Sequence, residues 1–316
     1  MMQHLILVLK DYDHPYLDRV ILDVKAAGID VIPVKAIPDE MCSEEAYPHV
    51  IALDEDRLNE ALNELNREHS YILTDCKEGA GLAEDHNIGY VYYDSLHDHK
   101  EHGRVGVKAQ CVIEGFDEIN ADFLIKMYQR YHHLPWIILS TERLMLREMT
   151  VDDVDRLYEI YGADGMTDYT EPLYEDRQQE IEYTKEYIRN MYEFCGYGLW
   201  IVIEKPGDDA AGKPAENITS EGRIVGRVGI TGREGYDEAE LGYVIEKDRQ
   251  GRGYAIEACR AVIGYARDVL EMSGLNCFVQ RGNEASVKLC KRLGFEYLED
   301  VCLLGTTMMR YHLDII

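Results

Sequence analysis

Positive charge is what this 316-residue sequence has little of: 33 Lys and Arg stand against 60 Asp and Glu, a net charge of −27 at pH 7. A non-specific nucleic-acid surface needs clustered cations, so nucleic acid is excluded as a partner. The same acidity suits a cationic substrate such as an amine, and it favours solubility. Long apolar runs are missing too. None reaches the roughly 18 residues of a helical membrane span, so no membrane partner is expected. The N-terminus MMQHLILVLKDYDHPYLD has almost no positive charge ahead of its short apolar run and no small-residue cleavage site. It reads as a first strand, not a signal peptide. The 8 cysteines form no CxxC pair and no zinc spacing, which points to reduced cysteines in a cytoplasmic protein and to no metal. No internal repeat or low-complexity tract is present.

What is there suffices for two domains: hydrophobic residues make up 46% of the chain, and the length fits two ordinary cores. Residues 1–136 alternate strand and helix patterns. HLILVL, DVIPVKAI, YILTD and GYVYYD read as strands. YLDRVILDVKAAG, DEDRLNEALNELNREH and NADFLIKMYQRYHH read as helices, with a short one at AGLAEDHN and a further strand in AQCVIEGFDEI. This rhythm predicts a mostly parallel, Rossmann-like α/β sheet.

The rhythm changes at Pro135. RLMLREM alternates as a strand, and TVDDVDRLYEIYG follows as a helix with Thr150 as N-cap and Asp153 at the capping-box position. GLWIVIEK, IVGRVGITG and AELGYVIEK are strands, the last two expected as antiparallel neighbours. PGDDAAGKPAENITSEGR, between GLWIVIEK and IVGRVGITG, is the expected long hairpin connection and mobile loop. NCFVQR is a strand, EASVKLCKRLG a helix, and the last strand lies around TMMRYHLDI. An α+β domain over 141–316 with a mixed, mostly antiparallel sheet is expected.

DRQGRGYAIEACRAV joins the strand ELGYVIE to a helix. It lacks the Gly-Lys-Ser/Thr of a Walker loop, and Ile256 stands where a dinucleotide fingerprint needs a third glycine. What remains is Gln250-x-x-Gly253-x-Ala255. Small residues let the backbone approach a ligand, and a helix N-terminus offers amides to an anion. This block resembles the GNAT family of acetyl-CoA-dependent N-acetyltransferases. NEASVKLCKRLGFEYLE is similar to that family's Asn-x-x-Ser…Leu-Gly-Phe block. STERLMLREMTVDDVDRLYEIY is similar to the opening of the subgroup that includes ribosomal-protein N-terminal acetyltransferases. The matches run in order over about residues 141–316.

The resemblance implies acetyl-CoA as co-substrate, with no metal. It places the pantetheine arm along the backbone of Tyr243, Val244 and Ile245. It places the pyrophosphate on the loop Gln250, Gly251, Arg252, Gly253, Tyr254 and Ala255. Asn283 and Ser286 border the arm. Two family positions depart from the pattern: Cys290 stands where many members carry a general-acid Tyr, and Phe278 where some carry a Glu. Glu240 is then the candidate base, ahead of Glu234 and Glu238, and Ser286 a candidate donor to the leaving thiolate. Asn283 and Ser286 also suit plain helix capping, and Cys290 a buried structural role. Tyr183, Tyr187 and Tyr192 have near-helical spacing and are expected to pack a helix face. The acceptor is a small-molecule or peptide amine, with a second copy of the chain as a candidate partner. A coenzyme-binding sensor without turnover stays open.

The first domain loosely resembles haloacid dehalogenase-like domains. Asp11 and Asp13 follow the first strand where those hydrolases keep a nucleophile, and Thr74 ends a later strand where a phosphate-binding Thr sits. His-Pro follows Asp13, no later Asp pair suits magnesium, and Asp54 and Asp56 repeat the spacing. A degenerate, non-catalytic domain is expected, with a phosphatase-like first domain as the alternative. His97, His99 and His102 read as a solvated loop.

Overall fold

The computed structural model describes residues 1–10, 12–35, 51–52, 66–94, 108–206, 218–219, 222–303 and 305–316. The chain divides into two compact units, Met1–Leu134 and Pro135–Ile316.

In the first unit, β1 (His4–Leu9), β2 (Asp30–Lys35), β3 (Ile51–Ala52), β4 (Ser70–Thr74), β5 (Gly89–Tyr93) and β6 (Cys111–Ile113) form a six-stranded sheet ordered β3-β2-β1-β4-β5-β6. Every pairing is parallel. An unbroken apolar run such as HLILVL fits a strand buried on both faces, and Leu5 to Leu9 are all buried. Alternate residues serve opposite cores. Leu5, Leu7 and Leu9 pack with Val20 and Val24 of α1 (Leu17–Ala26) and Leu124 and Tyr128 of α3 (Ala121–Tyr131). Ile6 and Val8 pack with Ala80 and Ala83 of α2 (Lys77–Asp85). Gly79 is required where α2 meets the sheet, because a Cβ there would lie 2.1 Å from Thr74 Oγ1.

Thr74 departs from the phosphate-binding expectation: its hydroxyl is buried and donates to the Val8 carbonyl at 2.7 Å. Arg67–His69, at the end of the expected helix over 54–69, is 3-10 helical. The rest of that helix up to Leu65, and Asp11, Asp54, Asp56, His97, His99 and His102, lie outside the described residues.

The second unit carries a nine-stranded sheet. Its strands are β7 (Ile137–Ser140), β8 (Leu144–Arg147), β9 (Leu199–Glu204), β10 (Ile218–Thr219), β11 (Gly222–Thr231), β12 (Glu240–Ile245), β13 (Gly274–Gln280), β14 (Glu296–Leu303) and β15 (Thr306–Asp314). The order is β14-β15-β13-β12-β11-β9-β8-β7, with β10 on β11. All pairs are antiparallel except β12 with β13. The hairpin strand β14 was not foreseen: its first residues, Glu296–Asp300, are exposed, so no alternating apolar pattern marks it. The expected loop between β9 and β11 lies mostly outside the described residues.

Helices α4 (Val154–Tyr161), α5 (Arg177–Tyr187), α6 (Tyr254–Asp268) and α7 (Glu284–Leu293) complete the unit. The expected capping box precedes α4. Asp153 Oδ2 accepts the Thr150 N–H at 2.7 Å, and the same carboxylate takes both arms of Arg147 at 2.8 Å. The tyrosine-rich stretch continues α5 into a π-helical segment, Ile188–Cys195. Trp200, wholly buried, stands at the centre of the core.

Candidate active site

β12 has two unlike edges. Against β11 it pairs at six consecutive positions, from Glu240↔Thr231 to Ile245↔Gly226. Against β13 it pairs at one, Glu240↔Asn276. The closed end of this seam is pinned by Asn276, fully buried, whose amide donates to the Glu238 carbonyl at 3.1 Å and accepts from Arg310 Nε at 2.9 Å. Beyond it the two strands separate, and a cavity of about 1440 Å³ is lined by Tyr243, Val244, Cys277, Val279, Asn283 and Ser286 on this side. A strand without its neighbour exposes a row of N–H and C=O groups, which an extended ligand can pair with.

The glycine loop follows at the open end. Gly251 and Gly253 have φ of 74° and 85°, and nothing lies within 4 Å of a Cβ at Gly251. Gly253 caps the 15-residue α6 without any side-chain hydrogen bond, and the first helical bond runs from the Glu257 N–H to the Gly253 carbonyl at 3.1 Å. The amides of Tyr254, Ala255 and Ile256 therefore precede the helical ladder, an arrangement that fits a phosphate.

The loop's cations are partly spent. Arg249 pairs with Glu204 at 2.8 Å, and Arg143 holds Glu257 at 2.7 Å and the Arg252 carbonyl at 3.0 Å. Arg252 is exposed. Gln250 Nε2 donates to the Ile245 carbonyl at 3.0 Å. Tyr254 is buried, with its hydroxyl on Glu204 and its ring 4.7 Å from the Arg143 guanidinium. The side chains of Gln250 and Tyr254 thus brace the loop, leaving their backbone for a ligand. Ile245 is buried in the core, and Gln250 to Ala255 are not among the cavity's wall residues.

Glu240 stands on the cavity wall at the closed end of the seam, with Arg233 Nε 2.5 Å from its Oε2. Burial pushes its carboxyl above the ordinary Glu range, while Arg233 pulls it down. Sequence reasoning missed Arg233. Glu234 also lines the cavity, whereas Glu238 is 2.8 Å from His312. Asn283 caps α7 through Oδ1, accepting the Ser286 N–H at 3.1 Å. Both residues also reach the cavity wall, so capping and site-lining coexist.

Cys290 does not face the cavity. It is wholly buried with its Sγ 3.3 Å from that of Cys277, and only Cys277 is a wall residue. The Tyr243 hydroxyl is shielded beside Ser286, and burial pushes it far above its usual range while Ser286 pulls it down. Of the expected tyrosine face, Tyr183 and Tyr187 line the cavity, and Tyr187 OH accepts the Leu199 N–H at 2.7 Å. Tyr192 is buried behind them and donates to the Leu199 carbonyl. Among the described residues no group of three His, Cys, Asp or Glu is placed to hold a metal, and no helix is long and apolar enough to cross a membrane.

The family profile described as "Acetyltransferase (GNAT) domain" matches residues 143–296, a span that holds the open seam, the glycine loop and α7. Residues 143–296 are a GNAT acetyltransferase domain. Acetyl-CoA is the co-substrate of GNAT acetyltransferases, so the chain is an acyltransferase that depends on it. Among curated relatives of this GNAT unit, an uncharacterized protein, YkkB of Bacillus subtilis (strain 168), is 28% identical over 170 residues, covering 52% of this chain and 87% of that protein. An uncharacterized N-acetyltransferase, p20 of Bacillus licheniformis, is 26% identical over 163 residues, 50% of this chain and 82% of its own. The solved acetyltransferase from Agrobacterium tumefaciens str. C58 is similar over 55% of this chain and 92% of its own, at 23% identity and a TM-score of 0.44.

Proposed function

We propose that the chain transfers the acetyl group of acetyl-CoA directly to a primary amine. The observation that carries this is the one-residue β12–β13 pairing, because it leaves an unpaired strand edge leading to an uncapped helix N-terminus. In this reading the backbone of Tyr243, Val244 and Ile245 pairs with the pantetheine arm. The amides of the loop from Gln250 through Ala255 take the pyrophosphate, with Gly251 and Gly253 allowing close approach and Arg252 adding exposed charge. Asn283 borders the arm beside Cys277.

An amine attacks only when neutral, so a group near it must take a proton. Glu240 fills that role: its raised carboxyl is a stronger base than an exposed Glu, and Arg233 keeps enough of it ionised to act. Ser286, on the cavity wall beside the buried Tyr243 phenol, donates towards the departing thiolate. Acetyl-CoA supplies the activated thioester; the chain supplies orientation, proton acceptance and exclusion of water.

We also read residues 1–136 as a Rossmann-like domain that does not take part in the chemistry, and 141–316 as the transferase domain. The β3-β2-β1-β4-β5-β6 order and helices on both faces support the first part, and the inward Thr74 hydroxyl supports the second. The test is a screen of primary amines with release of free coenzyme A thiol as readout. Stoichiometric thiol release and N-acetyl product with at least one amine is the expected result. Absence of acetyl-CoA binding would remove the proposal.

A further inference from the structure

Five arginines that are half-buried or buried in the second unit have carboxylates. Arg147, Arg156, Arg223, Arg233 and Arg249 each lie within 2.9 Å of one. Arg227 is different. It lines the cavity, yet its Nη2 meets the Tyr161 hydroxyl at 2.5 Å, its guanidinium lies 5.0 Å from the same ring, and its Nε is shielded with no acceptor. Its Nη1 lies 4.0 Å from Met149 Sδ, and the phenols of Tyr161, Tyr187 and Tyr192 also act on it. A largely buried cation without a counter-ion is costly. In a chain with 60 acids and 33 bases, leaving one such cation at a cavity wall points to an anion supplied from outside.

The register says where that anion would lie relative to the base. Glu240 opposes Thr231, Gly242 opposes Gly229, and Val244 opposes Arg227. Directly opposed residues of an antiparallel pair share a face and alternate with the other face. Glu240 and Arg227 therefore rise from the same face of adjacent strands, with Cα atoms four residue steps apart, roughly 13 Å. Between them the wall is formed by Gly242 and Leu199, neither of which carries charge. Glu171 lies close enough to add its field to Glu240, and Glu180, also on the cavity wall, accepts the Tyr174 N–H at 3.0 Å.

We propose that the acceptor is a small amino carboxylate of the amino-acid type, its amine towards Glu240 and its carboxylate on Arg227. The inference rests on the acetyl-transfer reading of the same cavity. A guanidinium matches a carboxylate in shape and charge, and the ring of Tyr183 and Tyr187 encloses the pair with apolar surface.

The experiment titrates the full chain calorimetrically with a panel of N-acetyl amino acids, which are the expected products, and with the N-methylamides of the same compounds. Coenzyme A is titrated in parallel. At least one N-acetyl amino acid binds about 10- to 100-fold more tightly than its methylamide, the worth of a charge-assisted hydrogen bond. Arg227→Gln erases that difference and leaves coenzyme A affinity unchanged, and Arg227→Lys retains part of it. No preference for any carboxylate in the unaltered protein overturns the proposal, as does a preference that survives Arg227→Gln. Because the first comparison uses the unaltered chain, it stands even if a variant misfolds. Loss of coenzyme A binding would count against the transferase reading instead, and the two failures are separately visible.

Discussion

The central strand of each sheet treats its neighbours differently. In the first unit β1 is paired along both edges, with six positions against β2 and five against β4. In the second, β12 is paired along one edge at six positions and along the other at one. The polar groups at the strand ends follow suit. Around β1, Thr74 donates to Val8 and Tyr12 donates to Leu7 and Val34, so hydroxyls satisfy the backbone. Around β12, Arg227 Nε is shielded and left without an acceptor. Shielded ring nitrogens without a hydrogen bond also occur in the first unit, at His4, His14, His69 and His132, so what sets β12 apart is its unpaired edge and a cavity wall that carries a guanidinium.

The comparison can be broken at its active end first. Glu240→Gln is expected to lower kcat by about 100- to 1000-fold, measured as thiol release with the best amine of the screen. It is also expected to abolish the acidic limb of the pH profile. The base must be unprotonated, and its folded pKa is raised, so in the unaltered enzyme activity is lost as pH falls through a midpoint above the ordinary Glu value. An unchanged rate and profile would dismiss Glu240 as the base.

At the closed sheet, Gly79→Ala drives a methyl into Thr74 Oγ1 and costs about 1–3 kcal/mol by overpacking. Chemical denaturation reads that loss, while acetyl-CoA affinity stays within the error of the unaltered chain. A coenzyme site that depended on the first sheet would show a parallel loss.

Gly253→Val tests the open end. A β-branched residue at φ 85° costs roughly 1–2 kcal/mol, which the free loop sheds by relaxing and must regain to bind, so acetyl-CoA affinity should fall about tenfold by calorimetry, with kcat at saturation little changed. Arg233→Ala is the smallest effect. Arg233 lowers the Glu240 pKa, so its removal moves the acidic limb to higher pH; movement to lower pH would show that another group titrates.

How much of this could be read in the sequence depended on what kind of signal each part leaves. The parallel sheet showed in runs such as HLILVL, because burial on both faces demands continuous apolar residues. The glycine loop showed because left-handed φ values demand glycine. Arg227 and Arg233 were passed over in IVGRVGITGR. A single Arg in an alternating strand looks like a solvent-facing residue, and only the helices packed above it turn that face into a cavity wall. Cys290 was read as a buried structural cysteine at a position where many family members carry a general-acid Tyr, and it is buried against Cys277; that its partner would be Cys277 of β13 was not legible, because spacing does not specify how α7 packs on the sheet. β14 was hidden for lack of an apolar face.

The claim on which the rest depends is that the unpaired edge of β12 and the amides of the glycine loop hold acetyl-CoA. Amide hydrogen exchange with and without acetyl-CoA tests it directly. The account predicts new protection at Tyr243–Ile245 and at Gly251–Ile256, with the amides of β1 and β4 unchanged. Saturable binding that protects other segments and leaves these exchanging as before would contradict it.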